Sequence, residues 1–173
     1  LLEEGISPMT LRFFVLQTNY RKPLDFTEEA LKAAAKGWSR LNNCLSFGYI
    51  YKIKDQAKNE INLDEPIKRS ANSKLDKDSF KLLSDFEKYM DDDLNTSGAL
   101  SILFELSQPI RKCLNLLKEK DINEVEKDTL HQVFNKWELL SELAGVLGLK
   151  VNINQEEQKN DTELDTNKIE ELI

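Results

Sequence analysis

The sequence predicts an all-α fold, an antiparallel helical bundle of about four long helices preceded by a short helical segment. Three observations predict it. Between about Thr27 and Gly148, apolar residues recur at steps of three and four, the spacing that gathers them on one face of a helix. Only six Gly and four Pro occur in 173 residues, which leaves few turns and favours long elements. Hydrophobic residues at 40% and charged residues at 32% suit a packed core and argue against wholesale disorder.

Each element follows from local chemistry. Ser7 is a good N-cap and Pro8 suits the first helical position, so a short helix starts here. Met9, Leu11, Phe13, Phe14, Val15 and Leu16 make it apolar nearly all round, as in a helix buried against other protein. Pro23 pushes Lys22 toward an extended conformation and breaks helicity. Thr27 then caps a second helix, with Glu28 and Glu29 where the helix dipole favours acids. Leu31, Ala34, Trp38, Leu41 and Leu45 form its buried stripe, which runs to about Ser46 or a little beyond. From about 52 to 77 periodicity fades, and the segment reads as a mobile insert. Phe80, Leu83, Phe86 and Met90 mark a third helix. Thr96 is expected to cap a fourth, with Leu100, Leu103, Phe104, Leu106, Ile110, Leu114 and Leu117 on its buried face. Pro109 lies inside that pattern and is expected to kink it. Asn123 with Glu126 reads as the capping box of a fifth helix. Its buried face carries Leu130, Val133, Phe134, Trp137, Leu140, Ala144 and Leu147, and Gly148 closes it. After that, 150–173 reads as an acidic linker and the start of a truncated helix.

Charge and the ends narrow the function classes. The net charge is −7. From Gln155 to Ile173 there are seven acids and two bases, which leaves a nearly neutral body of 22 bases and 24 acids. Such a body can turn a basic face to RNA, although no polybasic stripe announces one. No apolar run approaches the roughly 18–20 residues that span a bilayer. Leu1-Leu2-Glu3-Glu4-Gly5 has no signal-peptide pattern. It reads as a helix end closed by Gly5, so the chain is expected to be part of a longer one.

No grouping for covalent chemistry is present. Cys44 and Cys113 each sit in an apolar helical pattern without Cys or His at metal-ligand spacing, and the sole His131 is far from both. Two reduced thiols in a cytoplasmic protein are the plain reading. Asp91-Asp92-Asp93 fits neither an Asp-x-Asp loop nor an EF-hand; the expected role is electrostatic, close to the N-terminus of the helix assigned to Thr96. Trp38 and Trp137 fall on apolar stripes and are expected in the core. The expectation is therefore no catalytic residue and no metal site in this chain. For RNA, the candidates are Arg21, Lys22, Lys36, Arg40, Arg111 and Lys112, which suit phosphates and carry no base information.

Three stretches together resemble cysteinyl-tRNA synthetase. The first runs Ser7-Pro8-Met9-Thr10-Leu11-Arg12-Phe13-Phe14-Val15-Leu16, then Tyr20-Arg21-Lys22-Pro23-Leu24-Asp25-Phe26-Thr27. The second is Met90-Asp91-Asp92-Asp93-Leu94-Asn95-Thr96 with Ala99-Leu100, and the third Leu143-Ala144-Gly145-Val146-Leu147-Gly148-Leu149. The sequence departs from the family at Asn19, where His is usual, at Ser97 and Gly98, and at Pro109. The resemblance implies three parts. Residues 1–26 would be the end of the stem-contact region after the KMSKS loop, and 27–149 a DALR-type helical bundle that helps to hold tRNA(Cys). A linker, 150–173, would follow. It further implies a parent enzyme that charges tRNA with cysteine using ATP, Mg and one Zn. That apparatus is expected upstream, in a catalytic domain, with a small anticodon-reading domain downstream. Two other readings stay open: a related cysteine ligase acting on an aminosugar-inositol, and a non-catalytic helical interaction module.

Overall fold

The computed structural model describes residues 6–55, 75–118 and 125–151. Expectations placed on Leu1–Gly5, on most of the insert (56–74), on Asn123 and on the acidic segment from Asn152 lie outside the described residues. Within them the chain is all-α, five helices packed together and no strand: α1 (Pro8–Leu16), α2 (Glu28–Asp55), α3 (Lys77–Asp91), α4 (Thr96–Leu116) and α5 (Lys127–Val146). Among the described residues α4 is the hub and touches every other helix, whereas α2 and α3 do not meet.

Local chemistry accounts for most ends. The Ser7 hydroxyl accepts from the Met9 N–H at 3.3 Å, and the Thr27 hydroxyl from Ala30 at 3.2 Å. At the start of α3, Asp76 accepts from Ser79 N–H at 2.7 Å, and this bond holds the carboxyl below the usual range. At the far end of α5, Gly148 sits at φ 67°, a conformation that suits a residue without Cβ. Leu149 N–H reaches Ala144 O and Gly148 N–H reaches Gly145 O, both at 2.9 Å, the paired bonds of a Schellman ending.

One continuous core joins all five helices. Leu31, Ala34, Trp38, Leu41 and Leu45 of α2 are all buried. Phe13 of α1 is fully buried, its ring 6.4 Å from that of Trp38 and 6.0 Å from that of Phe104. A second aromatic group ties α2 to α5. Trp137 meets Tyr49 edge-on at 5.5 Å and donates its Nε1–H to Leu45 O at 2.7 Å.

Several expectations are corrected. α1 buries one face, with Thr10, Phe13 and Phe14, while Arg12 and Val15 are exposed. α2 extends to Asp55, because Phe47 and Tyr49 continue its buried face onto α5. In α3 the buried line is Ser79, Leu82 and Phe86, and Phe80 is 65% exposed. Shifting the stripe by one position moves a helical side chain about 100°, and the apolar character of Phe80 masked that. The expectation that Pro109 lies inside the fourth helix stands, since α4 runs through it. α5 begins at Lys127, with Glu126 in the cap position and no side-chain cap hydrogen bond.

The cap of α4 is also reassigned. Asn95, not Thr96, occupies the cap position, and its side chain accepts from Gly98 N–H at 3.0 Å. Thr96 is the first helical residue, and its hydroxyl donates to Leu16 O at 2.8 Å. That carbonyl is among the last four of α1, which have no partner within their own helix. Asn95→Ala is therefore expected to destabilise the protein by about 1 kcal/mol in urea unfolding. Thr96→Ser, which keeps the hydroxyl, is expected to stay within about 0.5 kcal/mol of the parent. Parental stability of the Asn95 variant would return the cap to Thr96.

Candidate functional site

The six basic candidates do not form one patch. Lys36 and Arg40 stand one turn apart on the exposed face of α2, alongside Ala33 and Asn43. Arg111 and Lys112 are both exposed on α4 but point apart, since neighbours on a helix diverge by about 100°. Arg111 lies on the flank of α4 toward α2, close enough for its charge to act on the Cys44 thiol. Lys112 instead lines a groove of about 310 Å³ between α3, α4 and α5, where Asp78, Asp85 and Glu105 offset Lys81 and Lys136. A phosphate there would meet three carboxylates. Lys22 is exposed in the turn after α1, its N–H bonded to Asn19 O at 2.9 Å.

Arg21 is engaged elsewhere. Its Nε lies 2.8 Å from Asp93 Oδ2 and its Nη2 donates to Asp93 Oδ1 at 2.9 Å, a two-point pair between residues 72 apart in sequence. Tyr20 O–H donates to the same Oδ1 at 2.7 Å, which raises the phenol pKa, and Arg21 Nε also donates to that hydroxyl at 2.9 Å. The guanidinium sits 5.4 Å from the centre of the Tyr20 ring. Asp93 thus faces the segment after α1. Asp91 ends α3 and Asp92 is its C-cap, while the Asp93 side chain bonds to Tyr20 and Arg21. Sequence reasoning missed Tyr20 and Asp93 as partners. No local signal was available, since the partners lie 72 and 73 residues apart.

The two cysteines are held as thiols. Burial pushes Cys44 up to about 11, opposed by the Arg111 charge and by hydrogen bonding with the Ser107 side chain, and burial raises Cys113 as well. Protonated, buried sulfur is a poor nucleophile and a poor metal ligand. His131 is exposed on α5. Among the described residues, no group of three or more His, Cys, Asp or Glu is placed to hold a metal ion, and no helix is long and apolar enough to cross a membrane. These residues do not fit a zinc centre, and no reaction step is assigned to them.

Comparison with known proteins agrees with this layout. The DALR domain family matches residues 85–152, from within α3 to just past α5. Over all 173 residues the chain is 88% identical to a cysteine–tRNA ligase of Prochlorococcus marinus strain NATL2A, covering 100% of this chain and 35% of that protein. The cysteine–tRNA ligase of strain NATL1A is 86% identical over the same 173 residues, again 100% of this chain and 35% of that protein. The corresponding ligase of Synechococcus sp. strain WH7803 is 42% identical over 177 residues, 100% of this chain and 34% of that protein. The chain thus spans about a third of the length of the curated relatives it matches. It belongs to the cysteine–tRNA ligase family, as a segment of such a protein that contains its DALR domain.

Proposed function

We propose that this chain is the tRNA-side helical domain of a class I cysteine–tRNA ligase, which orients tRNA(Cys) for cysteinylation by a catalytic domain elsewhere in the polypeptide. One observation carries the reading. The two stretches most like the family, around Tyr20-Arg21 and Asp93–Thr96, lie far apart in sequence and are joined by hydrogen bonds in the fold. In this reading 1–26 is the end of the stem-contact region, 27–149 the bundle, and 150–173 a linker toward a small anticodon-reading domain. ATP, Mg and Zn belong to the remainder of the protein, and the cytoplasm is its compartment.

Lys36, Arg40 and Arg111 are the strongest candidates for tRNA phosphates, because all three are exposed and no ion pair among the described residues engages them. Lys22 is a fourth. Arg21 and Lys112 rank lower, the first through its pair with Asp93 and the second through the three carboxylates that share its groove.

Two measurements test the proposal. The chain alone should bind tRNA with Kd of roughly 10⁻⁶–10⁻⁴ M, and three phosphate contacts should give a log–log salt slope of about −2 to −3. Changing the anticodon should leave binding unchanged, because phosphate contacts carry no sequence information. Tight, salt-insensitive, anticodon-dependent binding would place base readers in this bundle and overturn the assignment. In parallel, the chain should show no cysteine-dependent ATP–pyrophosphate exchange, and exchange above background would mean that catalytic groups lie within it.

A further inference from the structure

We infer that Asp93 is a positioning residue, whose clasp on Tyr20 and Arg21 fixes the segment after α1 against the α3–α4 turn. The inference rests on the proposed role in holding tRNA. Its basis is the geometry of that turn. Asp93 and Leu94 both lie in the left-handed region, at φ 54° and 52°, a conformation that Asp tolerates and Leu disfavours. A strained pair persists only where surrounding contacts hold it. Here Asn95 N–H bonds to Tyr89 O at 2.9 Å and Leu94 N–H to Met90 O at 3.2 Å. Gly98 also lets the Tyr89 ring close in, since a Cβ there would fall 2.4 Å from it. The turn is thus braced from α3 and α4, and its consequence is the aim of one carboxylate at residues 20 and 21.

The clasp is one of three ties on the same segment. Thr96 holds the C-terminal end of α1 through Leu16 O. Near the other end, the Arg12 guanidinium lies against Gly148, and Lys150 N–H points at Met9 Sδ at 3.4 Å. Phe13 and Phe14 anchor the middle by burial. The Asp93 tie acts beyond α1, on residues 20 and 21, where the backbone leaves helical structure, and farther along Phe26 packs edge-on against Phe14 at 5.5 Å before Thr27. The clasp therefore helps to set how the segment joining α1 to α2 crosses the bundle, and with it the relative placement of groups on either side.

The pair is exposed, 66% for Arg21 and 47% for Asp93, so its role is orientation more than global stability. That separation makes the inference testable in the full-length ligase carrying this segment. Asp93→Asn, Arg21→Ala and the double variant should each keep the unfolding midpoint of the parent, and Asp93→Asn should also keep cysteine-dependent ATP–pyrophosphate exchange. Each should raise the tRNA KM or lower the tRNA charging rate by roughly five- to tenfold, as a small misplacement of bound substrate does. The double variant should lose no more than the worse single variant, because both remove one interaction. Tyr20→Phe, which leaves the ion pair, should have a smaller effect. Unchanged tRNA kinetics in all variants, or fully additive losses, would refute the clasp. If the unmodified ligase itself charged tRNA normally while this segment could be exchanged for an unrelated bundle without effect on tRNA KM, the proposed tRNA role would fail instead.

Discussion

Gly48→Ala is expected to destabilise the protein by about 3 kcal/mol, at the upper end of what over-packing a core usually costs. Elsewhere in a helix the sign would be opposite, since alanine is favoured over glycine by roughly 0.5–1 kcal/mol. Position 48 differs because of what lies above it. A Cβ there would stand 2.2, 2.3 and 2.4 Å from three ring atoms of Trp137, far inside contact distance. The ring cannot swing aside cheaply. Its Nε1–H is bonded to Leu45 O, and it is wedged edge-on between Tyr49 and Phe134, at 5.5 and 6.3 Å. Either the indole leaves its hydrogen bond or α2 and α5 move apart. Urea unfolding with the slope held constant measures the loss. A background of Trp137→Leu provides the control: with the ring gone, Gly48→Ala should become neutral or slightly stabilising. Parental stability of the single variant would mean that the indole does not lie over Gly48.

The glycine illustrates what was legible and what was not. Helical stripes are local, and the five buried positions of α2 follow from spacing alone. Ends were legible where one side chain decides, as at Ser7 and Thr27. They were misread where two adjacent residues compete, as at Asn95 and Thr96. There the choice depends on a carbonyl 80 residues away that only Thr96 can reach. α2 was read to about Ser46 or a little beyond, and nothing local to Gly48 shows what lies over it. Its role as a seat for Trp137 exists only once α5 is in place. The candidate site was legible to the same degree. Exposure of Lys36, Arg40 and Arg111 followed from their place opposite the apolar stripes. The engagement of Arg21 with Asp93 did not, since no local rule links residues 72 apart. The divergence of Arg111 and Lys112 was implicit in helix geometry, but the acids that surround Lys112 come from α3 and α4 together.

Trp137→Ala and Trp38→Ala are expected to cost about 3–5 kcal/mol each, since both side chains are buried, 1% and 4% exposed. Trp137 should lie at the higher end. Its removal opens a cavity between α2 and α5 under Phe134 and Tyr49, and it also deletes the hydrogen bond to Leu45 O, worth about 1 kcal/mol net. Trp38 loses packing against Phe13, so its replacement should weaken chiefly the docking of α1 on α2. Trp137→Phe restores much of the volume without the donor and should recover a large part of the loss, whereas Trp38→Phe should recover nearly all of it. Urea melts of the four variants separate these terms. Parental stability in both alanine variants would make the two indoles surface groups, available to stack on RNA bases. Buried, they cannot stack, and the proposed contact with tRNA is left to the basic side chains on the outer faces of α2 and α4. That is why the salt dependence of tRNA binding and the stability of these variants test one arrangement from two sides.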